Sequence, residues 1–302
     1  MTRLRHVVPE AAAGSRLVDH LRAHLAVVAT REVGPLIARG AVRVGDRTGR
    51  IAEPVHAGDV LTVAADALTD LRSRGLVTEP ADLDLDVVHE DDDLVVVDKP
   101  SGLHVHPMGR YREDTVLGGV LWLAGARADG PWAAWRPHPV HRLDRATSGL
   151  LVFAKDKPSH DAFQGLLDDR QVERTYLALV EGQVRGDGGT VDAPLGRDPA
   201  MDYRRAVVPV SEGGRDAVTH WTVQERQADR TLLALVLGTG RTHQIRAHLA
   251  AMGHPVVGDT LYGAREPAGD AHIELRAVGL RFPHPRTGEP VTLAVAERRH
   301  PA

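Results

Sequence analysis

The segment from His141 to Gly149 concentrates side chains that could carry out chemistry. Asp144 has an arginine within two residues on each side, Arg142 and Arg145. Nearby cations favour an ionised carboxylate, which can act as a nucleophile or as a general base. The apolar run from Leu150 to Ala154 predicts a buried strand, so the polar loop would lie at a strand end. Spacing alone also fits an ordinary loop with a surface ion pair.

Two further segments combine polar side chains with apolar ones. Tyr176 begins a strand-like run, where a tyrosine is most often part of the core or of a sheet face. Residues 239–249 contain two arginines, two histidines and a glutamine, but no acid. Gly240 followed by a polar first helical turn is typical of a helix start that binds anions, whereas a basic, solvated helix face is the alternative. Arg246 lies too far along the helix to cap it, and pairing with a carboxylate is one use for it.

The composition excludes several kinds of site. The 302 residues include no cysteine, which excludes disulfides, thiolate metal sites and cysteine nucleophiles. The pairs His104/His106 and His243/His248 lack the i, i+4 spacing around a glutamate that zinc hydrolases use. We therefore expect no metal. Lys99 follows an acidic strand and is interpreted as a turn lysine.

The charge is unevenly distributed. The net charge is −4, which by itself argues mildly against a nucleic-acid partner. Residues 79–99, however, carry nine acids and one base, so this block accounts for −8 and the rest of the chain for +4. We interpret the block as a solvated linker and turn. Only three of the 37 basic residues are lysines, and arginine is well suited to phosphate contacts.

The elements that must position these segments indicate an α+β fold. Strands outnumber helices and do not alternate regularly with them, which favours a mixed or antiparallel sheet over a doubly wound one. Residues 1–10 are predicted to be a tail, and a polar linker is predicted between residues 64 and 82. Apolar periodicity predicts helices around residues 17–25, 32–39, 115–123, 158–167 and 245–252, and strands around 41–44, 55–63, 94–97, 150–154, 176–180, 217–223 and 232–237.

Length and hydropathy bound the remaining possibilities. At roughly 150 residues per domain, the chain is expected to form about two domains. No run approaches about 18 consecutive apolar residues, so we expect no membrane span. The first residues lack the apolar core of a secretory signal, so we expect a cytoplasmic protein.

Together the motifs resemble the RluA-type pseudouridine synthases. The resemblance spans about 220 residues, from Leu83 almost to the end of the chain. It rests on four motifs in order, namely residues 88–103, 141–155, the strand with Tyr176, and 239–249 together with 253–262. It implies a catalytic domain with a mixed, largely antiparallel sheet, flanking helices and a central cleft.

The resemblance also implies roles for individual residues. Asp144 matches the catalytic aspartate, Tyr176 the tyrosine that lies against the target uracil, and Arg246 the arginine that pairs with the catalytic carboxylate. Arg142 matches an arginine that enters the RNA stack where the uridine has left. Arg174 stands where relatives commonly have lysine. Further RNA contacts in these motifs are expected at His141, Arg241, His243 and Gln244.

The N-terminal region is similar to the small alpha-L RNA-binding domain. The similarity covers residues 15–63 and is most evident at residues 36–45. It implies an RNA-binding αβ module over residues 1–66, a linker over 67–82 and a catalytic domain over 83–302. Residues 1–63 hold nine arginines and six acids. Arg39 and Arg43 are expected to contact RNA.

The resemblance implies an isomerase that converts uridine to pseudouridine in structured RNA and that needs no cofactor. Large-subunit ribosomal RNA is favoured as the substrate, transfer RNA is the alternative, and a monomer is expected. A non-catalytic RNA-binding or ribosome-assembly protein is the main alternative from another class, and the combination of Asp144, Tyr176 and Arg246 argues for the enzyme. A metal-dependent hydrolase comes third.

Overall fold

The computed structural model describes residues 2–109, 111–127, 130–267 and 272–296. Its helices are α1 (Leu17–His24), α2 (Thr30–Ala38), α3 (Ala65–Ser73), α4 (Val116–Leu123), α5 (Lys157–Asp168) and α6 (Gln244–Ala251). Its strands are β1 (Arg3–Val7), β2 (Val42–Val44), β3 (Arg47–Thr48), β4 (Val60–Ala64), β5 (Asp86–Glu90), β6 (Leu94–Lys99), β7 (His138–Pro139), β8 (Ser148–Ala154), β9 (Glu173–Glu181), β10 (Gly188–Asp192), β11 (Leu195–Arg197), β12 (Arg205–Val207), β13 (Val218–Arg226), β14 (Arg230–Leu237), β15 (Leu275–Pro283) and β16 (Pro290–Ala294).

The chain divides into two compact units. Unit 1 comprises residues 1–85, 104–139 and 154–157, and unit 2 comprises residues 86–103, 140–153 and 158–302. The division therefore interleaves the two units along the chain, whereas the sequence-based boundaries assign residues 104–139 to the catalytic domain.

Unit 1 is built on a four-stranded antiparallel sheet in the order β1-β4-β2-β3. Helices α1 and α2 supply the fully buried residues Leu17, Leu21 and Leu36 to its core. The predicted N-terminal tail is wrong, because residues 3–7 form β1 and pair with β4 from Arg3↔Ala64 to Val7↔Val60. This strand carries three basic side chains in five residues, so it has no apolar alternation that would reveal it in the sequence.

The segment predicted to be a linker also has regular structure. Helix α3 occupies residues 65–73, and its Leu68 and Leu71 are buried in the core of unit 1. These two leucines are three residues apart and so share one helix face. The other positions are mostly polar, and the apolar face was too narrow to stand out from the sequence.

Unit 2 is built on a large, mostly antiparallel sheet. Its strand order is β10-β13-β14-β9-β15-β8-β6-β5, and β16 also pairs with β15, antiparallel to it. The pairing of β15 with β8 is parallel, whereas the pairings of β9 with β14 and β15 are antiparallel. Strand β6 is buried at every position, as its continuous apolar run predicts. The predicted α+β class with a mixed sheet is confirmed.

Gly149 opens β8 directly after the polar loop that begins at His141. Its φ of +111° is a backbone conformation that residues with a side chain rarely adopt. A Cβ at this position would also collide with the backbone of Ala277 on the neighbouring strand. Only glycine therefore lets β8 approach β15 closely enough to pair, and that pairing fixes the polar loop at the end of the strand.

Among the described residues, no helix is long and apolar enough to cross a membrane.

Candidate active site

A cleft of about 1110 Å³ opens in unit 2 where two polar loops meet the sheet. One loop precedes β8 and carries Asp144, and the other precedes α6 and carries His243. Tyr176 of β9 lines the cleft as well, and Arg246 lines it from α6. The fold thus brings together the side chains that the motifs single out from three separate parts of the chain.

Backbone contacts hold the Asp144 loop against the turn after β6. The amide of Gly102 donates to the carbonyl of Arg145 at 2.8 Å, and the Arg145 Nε donates back to the carbonyl of Gly102 at 2.9 Å. The Ser101 hydroxyl donates to the carbonyl of Ala146 at 2.6 Å. These reciprocal bonds fix the backbone on the C-terminal side of Asp144.

Lys99 is fully buried, so its interpretation as a turn lysine is wrong. Its ammonium donates to the carbonyls of Pro100 at 2.8 Å and Arg145 at 3.0 Å. Burial lowers the pKa of Lys99 to about 7, against the opposing attraction of Asp144. Lys99 therefore crosslinks the turn after β6 to the loop of Asp144, and its charge lies near the carboxylate.

Arg246 connects two carboxylates at the floor of the cleft. Its Nη1 donates to Asp144 Oδ2 at 3.1 Å, while its Nε and Nη2 donate to Asp259 at 2.6 and 2.9 Å. Burial works against the charge of Arg246, but the hydrogen bonds with Asp259 and the charges of both carboxylates outweigh it and raise its pKa. The Asp144 side chain keeps 15% of its surface exposed, whereas that of Asp259 keeps 1%. Asp144 is therefore the carboxylate of the pair that a substrate can reach.

The loop before α6 is organised around Gln244. Its Oε1 accepts from the Thr239 hydroxyl at 2.8 Å and from the Arg241 amide at 2.9 Å, and its Nε2 donates to the Val218 carbonyl at 2.9 Å. The side chain is 3% exposed. This environment fits a role in holding the loop better than the predicted RNA contact. Arg241 donates to the carbonyl of Asp216 at 3.1 Å and is half-buried at the cleft.

His243 adopts a left-handed backbone conformation at the start of α6 and faces Asp144. The Tyr262 hydroxyl accepts from the Arg205 amide at 2.9 Å, so its own proton is available for His243 Nδ1 at 3.0 Å. The other ring nitrogen, Nε2, lies 3.9 Å from Asp144 Oδ2. Burial lowers the pKa of His243, which favours the neutral ring.

Tyr176 and His141 both line the cleft, where Tyr176 is buried and His141 is half-buried. Burial raises the pKa of Tyr176, so its ring stays neutral and can lie against a planar base. Burial also lowers the pKa of His141 to about 3, and His141 Nε2 accepts from the Val152 amide at 3.3 Å. A neutral, inward-bonded ring is unsuited to a phosphate contact, so His141 fits a supporting role better than the predicted RNA contact.

The other predicted RNA contacts are on the surface. Arg142 is exposed at the rim of the cleft, next to Asp144. In unit 1, Arg39 is exposed and lies 3.5 Å from Asp70, while Arg43 is half-buried and donates to the Asp46 carbonyl.

One cluster of side chains in unit 2 has the composition of a metal site. Asp91, Asp93 and His284 each offer a ligand atom within 4.8 Å of the others. Asp93, however, already pairs with Arg286, whose Nε lies 2.6 and 2.7 Å from its two oxygens. A cation there would have to compete with an arginine, and these three residues do not line the cleft that holds Asp144.

Sequence reasoning missed three residues of this site: Lys99, Asp259 and Tyr262. Asp259 is the only acid between residues 253 and 263, and it follows a stretch rich in arginine and histidine without acids. That isolation was a usable signal, because buried arginines need anionic partners. Nothing in the sequence distinguishes a buried Lys99 from an exposed one.

Comparison with known proteins shows the family that the motifs resemble. The family model described as RNA pseudouridylate synthase matches residues 93–251. An RNA pseudouridine synthase of Bacillus subtilis, YlyB, is 38% identical over 258 residues, covering 85% of this chain and 82% of that protein. The ribosomal large subunit pseudouridine synthase D of Vibrio cholerae is 40% identical over 258 residues, covering 81% of this chain and 76% of that protein.

Solved structures show a similar fold. Human RNA pseudouridylate synthase domain containing 1 superposes with a TM-score of 0.60 at 25% identity, covering 72% of this chain and 85% of that one. Human RNA pseudouridylate synthase domain containing 4 superposes with a TM-score of 0.57 at 26% identity, covering 78% of this chain and 92% of that one.

Proposed function

Since this chain belongs to the RNA pseudouridylate synthase family, we propose that it isomerises uridine in large-subunit ribosomal RNA, with Asp144 as the catalytic carboxylate. The support for the ribosomal substrate is the name of the similar Vibrio cholerae protein, a ribosomal large subunit pseudouridine synthase. Such a substrate places the reaction in the cytoplasm. The observation that carries the assignment of Asp144 is its ion pair with Arg246 in a cleft that Tyr176 also lines.

The reaction moves a glycosidic bond without oxidation or an energy source. The bond from ribose C1′ to uracil N1 breaks, the uracil turns, and C1′ joins carbon-5 of the same ring. Carbon-5 then loses its proton and N1 takes one up, so the product is an isomer of uridine. Asp144 can take part by attacking the sugar or the ring, or by removing a sugar proton. Each route requires an ionised, accessible carboxylate that is held in place.

Arg246 supplies these conditions. Its bond to Asp144 Oδ2 favours the ionised carboxylate, and its two bonds to Asp259 prevent the guanidinium from swinging away. The ring of His243 lies beside the same oxygen, with Nε2 at 3.9 Å. These contacts orient Asp144 before substrate arrives, so little reorganisation is needed during the reaction.

The target uridine must leave its stack to reach Asp144. Extruding a base costs a few kcal/mol, and less in loops and distorted stems. Stacking of the extruded uracil on Tyr176 offsets part of this cost, since a base–aromatic stack contributes about 1–3 kcal/mol. The exposed Arg142 at the rim is placed to enter the space that the uridine leaves.

In unit 1, we assign an RNA-binding role to the αβ module that contains Arg39 and Arg43. Replacing both residues with glutamine should weaken RNA binding and reduce its salt dependence, because two phosphate contacts are lost. Turnover at saturating RNA should be unchanged. Arg72→Gln in the same unit is the control.

The decisive test is tritium release from ribosomal RNA labelled at carbon-5 of uridine. We expect release by the wild-type protein and one or a few new pseudouridines when modified positions are mapped with and without the gene. If the gene changes pseudouridines only in transfer RNA, transfer RNA replaces ribosomal RNA as the proposed substrate. The absence of release from any RNA, with RNA binding intact, would instead indicate a non-catalytic RNA-binding protein.

A further inference from the structure

Arg174 is a charged residue of the cleft to which the chemistry above gives no role. It lies on β9 two residues before Tyr176, and alternate residues of a strand point to the same face. Both side chains line the cleft. Four acids besides Asp144 line it as well, namely Asp168, Glu173, Asp192 and Asp216. Neither these nor any other acid in residues 2–109, 111–127, 130–267 and 272–296 forms an ion pair with Arg174.

The guanidinium of Arg174 is partly removed from water without a compensating anion. Within the described part of the chain, its Nε is buried and has no hydrogen-bond partner. Its charge lies close enough to Tyr176 to oppose the rise that burial causes in the pKa of that hydroxyl. A half-buried cation without a partner is costly, and an incoming anion would remove that cost.

Gly240 leaves the space that the guanidinium occupies. A Cβ at Gly240 would lie 2.8 Å from Nη1 of Arg174 and 3.4 Å from Nη2. Gly240 does not have a positive φ, so its backbone conformation is one that other residues can adopt. The requirement is steric, and the loop before α6 therefore sets the position of the Arg174 side chain.

We propose that Arg174 binds a backbone phosphate adjacent to the target uridine and so fixes the extruded nucleotide against Tyr176. The inference rests on the proposed function, because it requires RNA in this cleft. A phosphate is the anion that any nucleotide brings with it, and the planar guanidinium can bind it through two parallel hydrogen bonds. The fixed spacing of Arg174 and Tyr176 on one strand would set the distance from phosphate to base.

Three variants test the proposal on RNA that contains the mapped uridine. Arg174→Gln should raise KM on the order of 10- to 100-fold, as expected for one charge-assisted contact, while kcat stays within a few-fold. Arg174→Lys should restore most of the affinity, because it retains the charge. Gly240→Ala should act in the same direction as Arg174→Gln, since the added methyl displaces the flexible end of the arginine. Arg230→Gln, at an exposed position on β14, is the matched control and should change nothing.

Modified RNA identifies the phosphate directly. A neutral methylphosphonate is placed, one at a time, at each phosphate flanking the uridine. At one position the substitution should raise KM for the wild-type protein and have no further effect on Arg174→Gln. If the methylphosphonate raises the KM of Arg174→Gln further at every position, the proposal is overturned. It is also overturned if Arg174→Gln lowers kcat and leaves KM unchanged, because Arg174 would then act in the chemical step.

RNA binding is measured in parallel as a function of salt. The slope of log K against log salt concentration should fall by about one in Arg174→Gln, and an unchanged slope would overturn the phosphate contact. This measurement does not depend on turnover. A wild-type protein that binds the RNA but releases no tritium would thus count against the proposed function, while the slope would still decide the role of Arg174.

Discussion

Arg246 reaches Asp144 with only one of its guanidinium nitrogens, Nη1 at 3.1 Å. Its Nε and Nη2 donate to the two carboxylate oxygens of Asp259 at 2.6 and 2.9 Å. The arginine is thus anchored by a carboxylate that is closed to solvent and presented to one that is open to the cleft. This asymmetry divides the two acids into a support and a reacting group.

Asp144→Asn should abolish turnover and leave RNA binding largely intact. The substitution keeps the shape of the side chain but removes the charge that every proposed route requires. Tritium release measures turnover, and a gel-shift or anisotropy titration measures binding. Asp169→Asn, at an exposed position in the same unit, is the control. Substantial turnover by Asp144→Asn would remove Asp144 from the chemistry.

Arg246→Ala should lower kcat on the order of 100-fold, the scale seen when one oriented donor is lost from a charged reaction centre. RNA binding should change much less, because the guanidinium is occupied by two protein carboxylates and not by RNA. Equal losses in affinity and in turnover would make Arg246 a phosphate contact.

Asp259→Asn should reduce both stability and turnover. Removing one partner of a buried ion pair costs about 3–5 kcal/mol, and the loosened Arg246 would no longer hold Asp144. Urea unfolding measures the first effect and tritium release the second. In the double variant with Arg246→Ala the two losses should be strongly non-additive, because both act through one contact network. Additive losses would show that Asp259 acts elsewhere.

Lys99→Met should remove a specific dependence of stability on alkaline pH. The pKa of Lys99 is about 7 in the folded protein and 10.5 ordinarily, so between these values the unfolded chain holds a proton that the folded chain has lost. The free energy of unfolding therefore rises with pH in this window, by at most about 1.4 kcal/mol per pH unit. Comparing wild type and variant from pH 7 to 10 isolates the effect. Lys157→Met, an exposed lysine, should leave the pH dependence unchanged.

Unit 1 should lose stability as the pH falls from about 6.5 to about 4. His6 and His20 lie with their Nε2 atoms 3.0 Å apart, and burial, aided by His24, lowers the pKa of each to about 4. In this window the unfolded chain binds protons that the folded chain excludes, so acid favours unfolding by about 1–3 kcal/mol. Thermal unfolding followed by tryptophan fluorescence measures it. His6→Gln should flatten the dependence, and His56→Gln, an exposed control, should not; an equal response of both would contradict the assignment.

The sequence alone predicted the α+β class and the residues that meet in the cleft. Asp144, Tyr176 and Arg246 were identified because the motifs that carry them resemble, in order and spacing, those of the RluA-type pseudouridine synthases. The local pattern alone also fitted an ordinary loop, a core tyrosine and a solvated helix face. Residue type also set their chemistry, since a carboxylate, a phenol and a guanidinium have few alternative uses at one site.

The tertiary structure decided which partner each group has. Arg246 and Asp144 are 102 residues apart, and Lys99 reaches the carbonyl of Arg145 across 46 residues. Strand β1 was not predicted for the same reason. Its basic sequence forms a strand through backbone hydrogen bonds to β4, which is distant in the sequence. Burial and pairing over such distances depend on sheet register and helix packing, which are properties of the whole fold, and no local pattern of residues encodes them.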